Sequence, residues 1–362
     1  MGISVSIASE ALISRQFRRR RQFMAGAGLL LAASFVTAAG YGAVAIAPGQ
    51  VIAILFDSVG ITLPWEFSET QRSVLMAIRL PRVFLAVVTG AALAVCGAAL
   101  QGLFRNPLAD PGLIGVSSGA ALAAVAVIVL GPALGLSFIP QEYQLPVAAF
   151  CGGLAAVFFV NRLSTKNGHT DVATMLLAGV AMNAIAGAGI GAFIFASDDQ
   201  QLRELNFWML GGLGGITWER LLPVAVLAVP GVLVLTAFGR FLNAMLLGES
   251  ETMYLGFEVE RTKLFIILLS AVVTGAAVSA TGIIGFVGLV VPHLIRLTVG
   301  PGHQTLIPAS MLVGASLMLI ADIFARTVVL PAELPVGILT ACVGGPFFLW
   351  LLVRGRAATR WS

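Results

Sequence analysis

The sequence predicts an all-α polytopic membrane protein with about ten transmembrane helices, arranged as two inverted repeats. Its 362 residues are 58% apolar and only 10% charged, whereas soluble domains average about 45–50% apolar and about 25% charged residues. Apolar stretches recur at the length of about 20 residues that a helix needs to cross the hydrocarbon core. In addition, the hexapeptide VVTGAA occurs twice, at residues 87–92 and 272–277.

Ten apolar stretches define the predicted spans, because short polar segments separate each from the next. They cover residues 23–46, 82–104, 113–135, 145–161, 173–197, 221–243, 264–281, 283–299, 305–328 and 335–353. The first span follows a basic tail, residues 1–22, that contains most of RQFRRRRQF. Basic residues gather in cytoplasmic loops, so the tail predicts cytoplasmic N- and C-termini. The positive charge is thereby explained without nucleic-acid binding.

The repeated hexapeptide suggests an internal duplication, because the same offset aligns Pro107 with Pro292 and Gly115 with Gly300. Five predicted spans separate the two copies, and an odd number reverses the direction of the chain across the membrane. We therefore expect a first repeat at 82–197 and an inverted second repeat at 264–353 within a single domain, residues 1–362. Inverted repeats are common in transporters. A duplication without a mechanical role is the alternative.

Small residues at helical spacing predict close helix packing in two spans. Gly90, Ala94, Ala98 and Gly102 form one ridge, and a second ridge contains Asn183, Gly187 and Gly191.

Two arginines, Arg79 and Arg82, precede the second span in the motif RLPR. Pro81 between them favours a helix start. Because the predicted topology places these cations outside, against the positive-inside bias, we interpret them as a docking site for carboxylates of a partner. Snorkelling toward lipid headgroups is the alternative.

Asp322 and Arg326 stand four residues apart near the outer end of the ninth span, which predicts an ion pair on one helix face. An ionisable group inside a span also indicates function. Asp322 is the acidic group that an ion-coupled secondary transporter, the alternative class, would use. Arg326 lies closer to the surface, where it could face a partner.

Two inner segments interrupt the apolar pattern. In RNPLADPGLIGVSSG, residues 105–119, Pro107 and Pro111 prevent a continuous helix and fix a turn. The segment 244–262 predicts a short amphipathic helix-turn-helix, in which Met253, Tyr254 and Phe257 are among the apolar residues that could enter a groove on a soluble partner. A connector lying on the bilayer surface is the alternative.

The sequence contains neither the phosphate-loop motif GxxxxGK[ST] nor HExxH, and its three histidines are not clustered. We therefore expect no enzyme activity and no cofactor or metal bound by this chain.

Several motifs together resemble one family. They are RLPRVFLAVVTGAALAVCGAALQGLFRNPLADPGLIGVSSGA, LLAGVAMNAIAGAG, FWMLGGLGG, YLGFEVERTK, TGIIGFVGLVVPHLIRL and ADIFARTVVLPAELPVGILTACVGGPFFLW. In this order they resemble the FecCD-type permeases for iron chelates, haem and cobalamin, the membrane subunits of type II ABC importers. The resemblance covers nearly the whole chain.

The resemblance implies a homodimer in the bacterial inner membrane, with two cytoplasmic ATP-binding subunits that hold ATP and magnesium, and a periplasmic substrate-binding protein. It also implies three sets of site residues. The docking set is Arg79, Arg82 and Arg326. The cytoplasmic gate set is Asn106, Pro107, Leu108, Thr170 and Asp171. The ATPase-coupling set is Glu251, Met253, Tyr254, Leu255, Gly256 and Phe257.

The motifs NAIAGAGIG and DDQQLRELNFWMLGGLGG look most like those of haem permeases. Haem is therefore the expected cargo, with ferric siderophores and cobalamin as alternatives.

Overall fold

A computed structural model describes residues 2–135, 138–166, 168–329 and 331–358. Over these residues the chain is mostly α-helical. The predicted tail and repeats also contain residues that lie outside the described part: Met1, Leu136, Ser137, Asn167 and Leu330.

The described helices are, in chain order, α1 (Gly2–Gly40), α2 (Pro48–Asp57), α3 (Glu69–Ser73), α4 (Leu80–Leu103), α5 (Val116–Leu134), α6 (Gln141–Ser164), α7 (Val172–Ala196), α8 (Asp199–Leu210), α9 (Trp218–Ala237), α10 (Gly239–Met245), α11 (Glu249–Tyr254), α12 (Val259–Thr281), α13 (Val287–Val299), α14 (His303–Thr327) and α15 (Val336–Ala358). A π-helical segment, Val74–Arg79, joins α3 to α4, and a 3-10 turn, Pro111–Ile114, precedes α5. Strands β1 (Thr165–Lys166) and β2 (His169–Thr170) form an antiparallel hairpin between α6 and α7.

The helices agree with the predicted membrane spans. Among the described residues, seven helical segments are long and apolar enough to cross a membrane: Phe17–Gly40, Glu69–Leu103, Gln141–Ser164, Val172–Ala196, Trp218–Ala237, Val259–Thr281 and His303–Thr327. The other three predicted spans coincide with the shorter apolar helices Val116–Gly131, Val287–Val299 and Val336–Trp350. The prediction of an all-α polytopic membrane protein is confirmed.

The predicted start of the second span at residue 82 is wrong. The helix begins at Glu69, where the Ser68 side chain caps it, and it runs without a break to Leu103. Pro81 is therefore inside a helix. The π-helical segment makes this possible: the N–H of Leu80 donates to the carbonyl of Leu75, five residues back, and the wider turn relieves the clash that a proline causes in a regular helix.

Several other boundaries also differ from the prediction. The first span was expected to continue to residue 46, but α1 ends at Gly40, and the seventh was expected from residue 264, but α12 begins at Val259. The sixth span was expected to continue to residue 243, but α9 ends at Ala237 and α10 is a separate short helix. The eighth span was expected from residue 283, but α13 begins at Val287, because Gly282 and Phe286 both adopt positive φ angles that an α-helix cannot contain.

Small residues determine which helix lies at the centre of the bundle. The apolar segment that includes α4 is 89% buried. A Cβ atom on Gly90 would lie 2.3 Å from the carbonyl oxygen of Gly314 in α14, and one on Gly97 would lie 2.0 Å from that of Gly288 in α13. The ridge predicted at Gly90 therefore packs closely, as expected.

The second predicted ridge has a different environment. Only 17% of the apolar segment of α7 is buried, and a Cβ atom on Gly187 or Gly191 would meet no atom within 4 Å. This face of α7 has open space beside it in the described chain.

The two copies of the repeated hexapeptide lie in α4 and α12, which run in opposite directions. Arg82 near the start of α4 and Thr281 at the end of α12 line the same cavity of about 320 Å³. This is the direction expected of an inverted repeat. We call this side of the bundle the Arg82 end, and the side that holds the β1–β2 hairpin the hairpin end.

Candidate functional site

An ion cluster joins three segments at the Arg82 end. Arg82 Nε lies 2.8 Å from Asp322 Oδ1 in α14, and Arg82 NH1 lies 2.9 Å from Glu333 Oε2 in the segment before α15. Arg326 Nε lies 3.1 Å from Asp322 Oδ2. The predicted Asp322–Arg326 pair is present, and Asp322 is fully buried between two guanidinium groups. Asp322 is thus already paired with two cations, whereas an ion-coupled transporter needs an acidic group that is open to the coupling ion.

Arg79 does not lie on the surface. Its side chain is buried, and its guanidinium donates hydrogen bonds to the carbonyls of Ala39 (2.9 Å), Gly40 (2.6 Å) and Val44. The last carbonyls of a helix lack partners within that helix, and a cation there is favourable. Arg79 thus closes the C-terminal end of α1, whereas the docking interpretation required an exposed guanidinium.

Arg326 contributes to the same closure. Besides its pair with Asp322, it donates to the carbonyls of Ala38 and Tyr41, each at 3.0 Å. The structure therefore brings the three predicted docking arginines together, but their donors point toward Asp322, Glu333 and the segment from Ala38 to Val44. Their docking role stays a prediction.

Glu333 was not singled out from the sequence. Its side chain is 50% exposed, and it is the most accessible member of the ion cluster. An acidic residue between Pro331 and Pro335, in a segment too short to move far from the arginines, was the available signal.

The segment after α4 forms a compact turn at the hairpin end. Arg105 has a φ of 48°, and the Asn106 side-chain oxygen accepts a hydrogen bond of 3.0 Å from the N–H of Leu108. Asp110 begins the 3-10 turn by accepting a 2.8 Å hydrogen bond from Gly112 N–H. These bonds fix the backbone on both sides of Leu108, whose side chain is 40% exposed. The turn is compact, and its rigidity and gate role stay predictions.

The β1–β2 hairpin contains the second predicted gate element. Thr170 is buried, and its hydroxyl lies 3.1 Å from that of Thr165 across the hairpin. The next residue, Asp171, caps α7 by accepting hydrogen bonds from the hydroxyl and the N–H of Thr174. These hydrogen bonds lower the pKa of the exposed Asp171 carboxyl below its ordinary value.

The predicted coupling segment contains one complete short helix, α11, together with the end of α10 and the start of α12. Met253, Tyr254 and Leu255 are exposed, and Tyr254 reaches 91% exposure. Phe257 differs from the expected pattern, because it is half-buried and packs edge-to-face on Phe241 at 5.6 Å. We call the exposed residues 253–255 the α11 patch.

The ends of α11 explain its short length. Gly248 and Gly256 adopt φ angles of 137° and 87°, which favour glycine and interrupt the helix on both sides. Glu251 is exposed, whereas Thr252 faces inward and is completely buried. The helix therefore presents a fixed outer face.

Lys263 is a buried charged residue that does not belong to any of the predicted sets of site residues. Its side chain is 1% exposed, and Nζ lies 3.0 Å from Glu249 Oε1 and 3.1 Å from Glu260 Oε1. Nζ also donates to the carbonyl of Thr170 at 3.2 Å. A signal was available, because Lys263 shares helical spacing with buried apolar residues of α12, among them Val259, Ile266 and Ile267.

No group of three or more His, Cys, Asp or Glu side chains among the described residues has the arrangement of a metal site.

Comparison with known proteins identifies the family. A model of the FecCD transport family matches residues 30–354. The chain belongs to the FecCD transport family. Members are transmembrane permease subunits of ABC transporters and are not themselves enzymes, so the predicted absence of enzyme activity holds for this FecCD permease.

Two relatives with named substrates agree with this family assignment. The chain is 51% identical over 283 residues to the hemin transport system permease protein HmuU of Yersinia pestis, which covers 77% of this chain and 83% of that protein. It is 45% identical over 300 residues to the cobalamin import system permease protein BtuC of Halobacterium salinarum, covering 82% and 78%.

A solved structure has the same fold. It is described as an inward-facing conformation of a metal-chelate type ABC transporter, and it matches with a TM-score of 0.80 at 31% identity, covering 92% of this chain and 99% of that one. This FecCD protein is therefore a multi-pass membrane permease of an ABC importer, and such permeases work as dimers with ATPase partners.

Proposed function

We propose that this FecCD permease forms the pathway through which an ATP-driven type II importer moves haem from the periplasm into the cytoplasm. The observation that carries the proposal is the 51% identity to a hemin permease, compared with 45% to a cobalamin permease. The haem-like motifs around residues 183–191 and 198–215 point the same way. Haem is the cargo here, and the permease itself holds no cofactor.

The unpacked face of α7 supports a pathway at a two-fold axis. Its open glycines leave room for a second copy of the chain or for a flat cargo. In this proposal the two copies enclose the pathway, and the turn at Leu108 and the β1–β2 hairpin close it at the hairpin end.

The α11 patch supports the placement of the two ATP-binding subunits. Three exposed large side chains at the end of a short helix and on the residue that follows it are the kind of anchor that fills a groove on a soluble protein. ATP and magnesium are bound by those subunits. The hairpin end then faces the cytoplasm, as do both termini, in the bacterial inner membrane.

The substrate-binding protein is placed at the Arg82 end. Carboxylates of the partner would compete with Glu333 for Arg82 and would approach Arg326 beside it. Arg79 cannot take part directly in the described conformation, because its donors are already used inside the protein.

Reconstitution tests the cargo. The permease is reconstituted in liposomes with the ATP-binding subunits and the substrate-binding protein of its own importer. ATP-dependent uptake of haem, a ferric siderophore and cobalamin is then compared. An ATPase that binds but does not hydrolyse ATP is the control. We expect haem uptake that requires hydrolysis. Preferential uptake of cobalamin or of the siderophore would show that the haem assignment is wrong, and uptake without the ATPase would refute the ABC mechanism.

A further inference from the structure

The contacts of Lys263 connect two elements that have separate roles in the proposed function. Its ammonium group carries three donors, and three oxygens lie within hydrogen-bonding distance. One oxygen belongs to Glu249 at the start of α11, one to Thr170 at the end of the hairpin, and one to Glu260 in α12 itself.

Glu260 completes the attachment of the hairpin. Its second carboxylate oxygen accepts a 3.0 Å hydrogen bond from Thr170 N–H. Both backbone polar groups of Thr170 are thus held by side chains of α12, the N–H by Glu260 and the carbonyl by Lys263. His169 adds a contact of 3.4 Å to Glu260.

The attachment continues into α7 and the neighbouring turn. Asp171 directly follows Thr170 and caps α7. Two turns further along, Gly179 packs so closely on the 3-10 turn that a Cβ atom there would lie 1.8 Å from the carbonyl oxygen of Leu113. A displacement of α11 therefore has a continuous path of contacts to the hairpin, to α7 and to the turn that follows Leu108.

Burial makes this connection stiff. Lys263 is 1% exposed, while Glu249 and Glu260 are 35% and 27% exposed. A buried ammonium group is costly to move away from its counter-charges, since each lost partner leaves an uncompensated polar group. One buried ammonium group therefore contacts both the hairpin and α11.

We propose that Lys263 is a positioning residue that transmits movement of α11 to the β1–β2 hairpin, so that ATP turnover in the partner subunits opens and closes the hairpin end. This inference rests on the proposed ATP-driven mechanism and holds for any cargo.

The test uses the complete complex in liposomes, with the cargo that the wild-type protein transports. Glu249→Gln is the principal variant, because it weakens the link to α11 and leaves Lys263 bound to Glu260 and Thr170. We expect ATP hydrolysis close to the wild-type rate. Uptake per ATP hydrolysed should fall about fivefold or more, which is the effect of losing a typical coupling free energy between two sites. Lys263→Met should show at least the same loss.

Arg162→Met is the matched control. It removes one positive charge from the exposed end of α6, next to the hairpin, and should leave uptake per ATP unchanged. A purely structural role for Lys263 would reduce the amount of assembled complex, and would lower hydrolysis and uptake together without changing their ratio.

A double-variant cycle completes the test. If both residues act through one link, Glu249→Gln combined with Lys263→Met loses no more coupling than Lys263→Met alone. Wild-type uptake per ATP in Glu249→Gln would overturn the inference while leaving the proposed function intact. Absence of ATP-dependent uptake by the wild-type complex would instead refute the proposed function and this inference with it.

Discussion

Neighbouring arginines at the Arg82 end have different surroundings, although they are three residues apart in the sequence. Arg82 is paired with two carboxylates, one of them half-exposed, whereas Arg79 binds two backbone carbonyls at the end of α1 and a third at Val44, just after it. The motif RLPR gives no reason to distinguish the two residues, because both are arginines at its ends. Which one remains accessible to a partner depends on the position of α1, which the motif does not contain.

Replacement of Arg79 is expected to destabilise the protein. Arg79→Met leaves buried carbonyls without donors, and the loss should be about 3 kcal/mol. Thermal unfolding of the purified permease in detergent measures it. Arg72→Met is the control: its pair with Asp57 is partly exposed, so it should cost about 0–1 kcal/mol. Equal losses of stability in the two variants would contradict the conclusion that the buried Arg79 side chain holds the end of α1.

At the scale of elements, the separation between helices depends on glycine. Close approaches between helices, such as α4 to α13 and α4 to α14, occur where glycines leave no side chain between the backbones. Gly187 and Gly191 of α7 follow the same sequence pattern, but in the described part of the chain no atom lies within 4 Å of where their Cβ atoms would be. The pattern therefore predicts a helix that can be approached, and the tertiary structure shows whether anything approaches it.

A pair of glycine substitutions tests this difference. Gly97→Ala places a Cβ atom 2.0 Å from the carbonyl oxygen of Gly288, so α4 and α13 must separate, at a cost of about 1–3 kcal/mol or more. Gly187→Ala meets open space and should leave the thermal midpoint of the isolated chain unchanged. A tolerated alanine at position 97 would show that this helix contact is looser than described.

At the scale of the whole molecule, ionic contacts at opposite ends hold together segments far apart in the sequence. The Arg82–Asp322 pair connects α4 with α14 at one end, and Lys263 connects α11, α12 and the hairpin at the other. The apolar packing between these ends is continuous. In the proposed ATP-driven mechanism, one end can therefore change while the packed helices between the two ends move together.

Substitution at the Arg82 end should affect stability unequally. Asp322→Asn leaves Arg82 and Arg326 without their shared buried counter-charge, with an expected loss of about 3–5 kcal/mol. Glu333→Gln removes a half-exposed partner and should cost about 0–1 kcal/mol. Thermal unfolding of the two variants compares their losses of stability. A larger loss for Glu333→Gln than for Asp322→Asn would contradict the conclusion that Asp322 is the main counter-charge of the cluster.

The sequence by itself determined the membrane-spanning helical architecture, because hydropathy over about 20 residues and the break caused by prolines at 107 and 111 depend only on local composition. It also determined the family, through motifs that keep their order along the chain, and the Asp322–Arg326 pair, which lies on one helix face. The tertiary structure alone decided that Arg79 is internal, and that Glu333 and Lys263 complete the two ionic clusters. These features join residues from different helices, and such distances are fixed by packing between elements, which no local pattern records.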